Sequence, residues 1–284
     1  MIWSNAGALD WVGLDRPPEQ LLENHSTQGI VFAFCSFSLM ALISGALRDF
    51  KRWEIALLAL LILGFIGNIA FVLTGRSSYL TLFLLIPWGI FLVAPKWKLA
   101  SALVVCGILT LLMSLSPVAS QRIEVASTNF VNAHEATNYT SLGIRRVYWE
   151  NTIELIKGAP ILGSGSGSFR DAYADLISRK NILGWRGGVT DDPHQQYLLI
   201  AGEQGLIGLM LFLFSLLAIY TSVLRDFSTW PAKILAGLLI VTMTNSMFNG
   251  HFGTFVEGRL FWIFAGIMMA GSAKIPNAKG VFQF

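Results

Sequence analysis

Charge is scarce in this chain. Lys, Arg, Asp and Glu make up 13% of its 284 residues, against about 25% in soluble domains. Hydrophobic residues reach 54% and mean hydropathy is +0.60. That balance excludes an ordinary soluble domain and points to a membrane protein. The formal net charge of +3 is too small and too scattered to suggest nucleic acid. Cysteine is nearly absent. Cys35 and Cys106 each lie inside an apolar run, which reads as two small core residues rather than a disulfide or a metal pair. No charged n-region with a short apolar stretch and cleavage site opens the chain, so no signal peptide is expected. No repeat of fixed period and no low-complexity tract is evident. Glycine, by contrast, is plentiful at 27 residues, which suits membrane helices whose backbones approach closely.

A membrane-crossing helix needs roughly 17–25 mostly apolar residues. Seven runs qualify as candidates: Ile30–Leu47, Trp53–Leu73, Ser77–Ala94, Leu99–Leu115, Tyr197–Val223, Ala232–Phe248 and Leu260–Ala273. The expected fold is therefore all-α, a polytopic transmembrane bundle of about seven spans forming one membrane domain over residues 1–284. The stretch Ser116–Gln196 is too charged for lipid and forms one large loop within that domain.

Orientation follows from the short loops, where Lys and Arg collect on the cytoplasmic side. Arg48, Lys51 and Arg52 join the first two spans, Lys96 and Lys98 the third and fourth, Arg225 and Lys233 the fifth and sixth; Lys274 and Lys279 follow the seventh. All fall on one side if the spans alternate. The opposite short segments hold Arg16, Arg76 and Arg259. Ser116–Gln196 and residues 1–28 then face outward. A chain that begins outside without a signal is either naturally so oriented or the C-terminal part of a longer protein.

Ionisable groups at the outer face are the places to look for function, because charge near lipid is costly. Arg76, in Thr74-Gly75-Arg76-Ser77-Ser78, stands where the third span begins, and on position alone it reads as a snorkelling interfacial arginine. Ser141–Ala159 reads as an amphipathic helix, with Ser141 as cap and Gly158 and Pro160 at its end. Arg145, Trp149, Ile153 and Ile156 share an apolar stripe, whereas Arg146, Glu150 and Glu154 share a charged one suited to i,i+4 pairing. Arg146 thus reads as a solvated partner and Arg145 as an inward arginine that needs an anion. A structural carboxylate and a bound phosphate fit that need equally.

Gly163-Ser164-Gly165-Ser166-Gly167-Ser168-Phe169 precedes a short helix. Such a run either cradles an anion on its amides or forms a turn with positive φ angles, and the turn is the simpler reading. It lacks the lysine of a P-loop and follows no strand, which excludes ATP and NAD. In Asp191-Asp192-Pro193-His194-Gln195-Gln196-Tyr197 an aspartate is placed to cap the fifth span with Pro193 at its first position, so His194 is expected in the first helical turn. The helix's positive end disfavours imidazolium, and the aspartates favour it. A neutral His194 is a candidate general base, although an isolated histidine is more often structural. No second histidine or cysteine is spaced to complete a metal shell. Glu203, nine residues on, falls on the opposite helix face from His194 and reads as a hydrogen-bond partner of a neighbouring helix. His251 and Glu257 lie in the last outer loop without informative spacing.

Taken together, Ser141-Leu142-Gly143-Ile144-Arg145 with Trp149, Pro160-Ile161-Leu162-Gly163-Ser164-Gly165-Ser166-Gly167-Ser168-Phe169, Pro193-His194-Gln195-Gln196-Tyr197-Leu198 and Glu203-Gln204-Gly205-Leu206-Ile207-Gly208-Leu209 resemble the O-antigen ligase and polymerase family of bacterial membrane glycosyltransferases. The resemblance runs from about Leu73 to Leu213, and its force lies in the order and spacing of motifs that are weak singly. It implies transfer of a glycan from undecaprenyl diphosphate, at the periplasmic face of the inner membrane, to a hydroxyl, which in the ligases belongs to lipid A core. It also implies that Arg76 and Arg145 bind the diphosphate and that His194 is the catalytic base. The sequence offers no carboxylate cluster for magnesium, so a metal-independent reaction without a cofactor is expected. Family members commonly carry several more spans ahead of the first one here.

Within this class the alternatives are an O-antigen polymerase, whose acceptor is another carrier-linked glycan, and a protein O-oligosaccharyltransferase. From another class, a transporter or a non-catalytic scaffold remains. A transporter favours polar or broken helices near the midplane in repeated halves, whereas the polar residues here gather at one face.

Overall fold

The computed structural model describes residues 25–46, 50–73, 76–93, 97–117, 141–182, 184–253 and 255–274. Among these the chain is all-helical, with nine α-helices and no strand. Helices form at all seven apolar runs. Three stretches, Thr27–Gly45, Arg52–Phe71 and Gln196–Arg225, are long and apolar enough to cross a membrane, while Ser77–Leu92 and Leu99–Leu115 are apolar but shorter. The chain divides into two compact units, residues 1–122 and 123–284.

The first unit contains α1 (His25–Ala46), α2 (Arg52–Phe71), α3 (Arg76–Val93) and α4 (Lys98–Leu115). Helix α3 packs on the other three, and α1 also packs on α2. Its core joins Ala33, Phe37 and Ala41 of α1 to Leu82, Leu85 and Ile86 of α3, all buried. Small residues permit the approach, since a Cβ on Gly29 would lie 1.9 Å from Ser78 Oγ. Helix α1 begins five residues before the apolar run, because polar Gln28 is accommodated inside the bundle: its Nε2 donates to Asn68 Oδ1 of α2 at 3.0 Å. The outward faces of α2 and α4 carry Leu57, Leu60, Leu63, Leu99, Leu103 and Leu111, all exposed. An apolar surface this continuous suits lipid and not water.

The second unit contains α5 (Ser141–Gly158), α6 (Phe169–Arg179), a 3₁₀ turn (Gly184–Gly187), α7 (Gln196–Arg225), α8 (Trp230–Ser246) and α9 (Phe255–Lys274). Helix α7 is its hub and packs on α5, α6, α8 and α9. Phe169, Tyr173 and Ile177 of α6 form a buried cluster with Tyr148 and Leu155 of α5, and Asn151 Nδ2 donates to the Tyr173 hydroxyl at 2.9 Å. The buried face of α5 thus runs through Tyr148, Asn151, Thr152 and Leu155, while Ile153 is exposed. The expected stripe was one step off: Asn151 is bonded to Tyr173, and Thr152 Oγ1 donates to the Tyr148 carbonyl at 2.6 Å, so both polar side chains are satisfied inside.

Helix α7 is broken at Gly205, where φ is 65° and ψ is −164°. The segment after α5 fills the break. Ser164 N and Gly165 N donate to the carbonyls of Gly202 and Glu203, at 2.9 and 2.7 Å, and Leu206 N returns a bond to Pro160 O at 2.8 Å. The backbones meet through two glycines. A Cβ on Gly163 would lie 2.4 Å from the Glu203 carbonyl, and one on Gly205 would lie 2.2 Å from Ile161 O. These bonds stand in for ones that the broken helix loses. The arm beyond Gly205 still runs for about 20 residues, roughly 30 Å, the thickness of a bilayer core.

Candidate functional site

The clasp settles the glycine-rich run. Gly163, Gly165 and Gly167 all take positive φ, and the amides of Ser164 and Gly165 are spent on α7, so the run is a turn. The N-terminus of α6 that follows it is answered from within the chain: Phe169 N donates to Glu203 Oε1 at 3.3 Å. A carboxylate at a helix's positive end is the favourable placement. Glu203 therefore bonds a neighbouring helix, as its position suggested.

His194 does not lie in the first turn of α7. The helix begins at Gln196, and its cap is Gln195, whose Oε1 accepts from Leu198 N at 2.5 Å. His194 stands just ahead of the cap in the left-handed region, φ 55°, a conformation that non-glycine residues hold only where surrounding contacts impose it. Those contacts are specific. The His194 amide donates to Asp192 Oδ1 at 2.7 Å. Trp149 Nε1 donates to Pro193 O at 2.9 Å. The imidazole stacks on Tyr148, centroid to centroid 6.1 Å. Asp192 is not a helix cap because its second oxygen reaches another loop, accepting from Gly250 N at 3.0 Å.

The half-buried His194 lies close enough to Arg145 for the guanidinium to act on it. Burial above all, and the Arg145 charge, push the imidazole pKa below its ordinary 6.5; the Asp192 carboxylate and a hydrogen bond with Asn249 pull it back up. The balance favours the neutral ring. The helix N-terminus was the expected cause; burial and Arg145 do the work instead. Asp191 faces solvent and pairs with Arg170 at 2.5 Å.

The sequence separates the two adjacent arginines correctly in one respect: Arg146 is exposed and pairs with Glu150 at 2.8 Å. Glu154 instead pairs with Lys180. Arg145 is half-buried, and its charge acts on His194. Arg76 is the first residue of α3, in the other compact unit, and its side chain lies outside the described residues. His251 and Glu257 form a buried pair, Nδ1 to Oε1 3.3 Å. Sequence reasoning passed over Tyr148 and Asn249. Tyr148 had a signal, standing three residues after Arg145 on the same helix face; Asn249 had none, because it reaches the site through tertiary structure. A cavity of about 380 Å³ runs along α7 from Gln196, lined by Glu203, Gln204, Phe212, Phe252 and Trp262 among others. Among the described residues no three His, Cys, Asp or Glu side chains are gathered as a metal shell.

Among the described residues, a half-buried histidine, an arginine whose charge acts on it and an asparagine that bonds it come together just ahead of a broken apolar helix. The family model described as O-antigen ligase matches residues 58–213, more than half the chain, and the protein belongs to the O-antigen ligase family of membrane glycosyltransferase-type enzymes. The matched span takes in Arg76, Arg145 and His194. No curated protein matches the chain.

Proposed function

We propose that this protein transfers a glycan from undecaprenyl diphosphate to a hydroxyl of lipid A core, with inversion and without a metal ion. The observation that carries the reading is the neutral, half-buried His194 with Arg145 beside it. The acceptor oxygen attacks the anomeric carbon as the bond from that carbon to the diphosphate oxygen breaks. The bonding pair leaves on the diphosphate, and the hydroxyl proton passes to His194. Attack opposite the leaving group inverts the centre. Arg145 neutralises the departing charge through its planar donor fork, and the family resemblance gives Arg76 a role in binding the diphosphate.

In this reading the seven apolar helices act as one membrane domain of the bacterial inner membrane, and residues 116–196 are periplasmic. Polymerase and protein O-oligosaccharyltransferase activities share the donor chemistry. Product analysis separates the three, by glycan on lipid A core, on carrier or on protein.

Three results are expected from the purified protein in lipid. Arg145→Lys keeps charge but loses the bidentate fork, so kcat/KM falls roughly ten- to a hundredfold, consistent with a loss of about 1.4–3 kcal/mol of charge-assisted hydrogen bonding; an unchanged value removes Arg145 from the diphosphate. The plot of kcat/KM against pH stays level through pH 7 and falls only below 6.5, as the depressed imidazole takes its proton. Transfer continues in EDTA, and loss restored by magnesium would refute the metal-free step.

A further inference from the structure

We propose that Asn249 is the positioning residue of His194: its side-chain amide fixes the orientation and tautomer of the imidazole, and Asp192 holds the two loops in register for that contact. The inference rests on the reading of His194 as the base. Asp192 reaches both sides at once, accepting from His194 N on Oδ1 at 2.7 Å and from Gly250 N on Oδ2 at 3.0 Å. It thereby ties together two chain segments 58 positions apart. Gly250 leaves room for the carboxylate, since a Cβ there would lie 2.8 Å from Oδ2. The residue before Gly250 is Asn249, and its side chain hydrogen-bonds to the His194 ring.

Asp192 does not orient the ring directly, for its Oδ2 lies 4.0 Å from Nδ1, beyond hydrogen-bond reach. That leaves the amide. Asn249 is hydrogen-bonded to the imidazole, and its amide oxygen is the atom able to accept from a ring N–H. One ring nitrogen is then committed as donor, and the other presents its lone pair to the acceptor hydroxyl. The same division of labour occurs where an asparagine orients a catalytic histidine in papain-like proteases.

The second anchor of the Asn249 loop lies at its far end, where Phe252 N donates to Gln196 Oε1 at 2.8 Å. The charged and titratable groups that act on or touch the ring are Arg145 and Tyr148 from α5 and Asp192 from its own segment. On the Asn249 loop, His251 pairs with Glu257 of α9.

The test is a titration of the His194 ring by nuclear magnetic resonance in the full chain in lipid nanodiscs, which needs no substrate. Asn249→Ala removes the acceptor, so the ring pKa moves down and a single tautomer becomes a mixture. Asn249→Asp puts a charged acceptor in nearly the same shape, so the pKa moves up. Displacements in opposite directions support the proposal. Unchanged titration in both variants, or a shift of the same sign in both, overturns it. Where the wild type is active, Asn249→Ala lowers kcat by roughly ten- to a hundredfold, part of the about 10²–10⁴-fold that a general base supplies, with KM nearly unchanged. A wild type with no transfer overturns the functional reading, while the titration still decides the positioning role.

Discussion

His194→Ala is expected to cut transfer by about 10²–10⁴-fold, the contribution of a positioned general base, while the protein keeps its fold. The fold should survive because the site is held mainly through main-chain atoms. Asp192 Oδ1 takes the His194 amide, and Trp149 Nε1 takes the Pro193 carbonyl; neither bond uses the imidazole. What the variant loses is the ring against Tyr148 and its bond with Asn249. The loss should fall on kcat, because a group that accepts a proton only as the acceptor attacks stabilises the transition state and not the bound substrates. Single-turnover transfer by purified wild type and variant measures it. A variant within a few fold of wild type would remove His194 from the chemistry.

Gly205→Ala is expected to be the most disruptive of small substitutions. Its backbone, φ 65° and ψ −164°, lies in a region that essentially only glycine enters, at about 1–3 kcal/mol for other residues. The added methyl would also sit 2.2 Å from Ile161 O and 2.6 Å from Leu162 N. These are backbone atoms that cannot rotate away, and forced overpacking costs about 1–3 kcal/mol more. Together the two effects lower the thermal midpoint by roughly 5–20 °C, measured by circular dichroism in detergent. Gly163→Ala, on the other side of the clasp at φ 70°, should behave alike. Gly64→Ala on α2 is the control, since nothing lies within 4 Å of its Cβ position. If Gly205→Ala melts with the control, the clasp does not hold the unit together.

Seven helices were legible because each answers a run of apolar residues, and α5 because its apolar and charged stripes recur at helical spacing. Where the reading slipped, tertiary contacts had overridden a local rule. Gly205 sits inside Tyr197–Val223, which the sequence marks as one unbroken span. Its break becomes visible only when the Pro160–Gly165 backbone arrives to complete the bonding. Pro193 after two aspartates reads as a helix start, yet the structure spends Asp192 on joining two loops and leaves the cap to Gln195. On α5 the hydrophobic stripe misplaced the buried face, because Asn151 finds Tyr173 inside while Ile153 stays outside. In a membrane protein apolar side chains have no need to turn inward, so hydrophobicity alone marks the inner face poorly. The pair Arg145 and Arg146 was separable because the charged i,i+4 pattern around Arg146 is local. Asn249 was out of reach for the opposite reason.

The most direct test of the account is transfer by the purified wild-type protein in lipid. It takes undecaprenyl diphosphate-linked glycan as donor and lipid A core as acceptor, with the product read by mass. The account predicts glycan on lipid A core, with free undecaprenyl diphosphate released in equal amount. No glycan on lipid A core, with donor left intact or consumed by another acceptor, would contradict it.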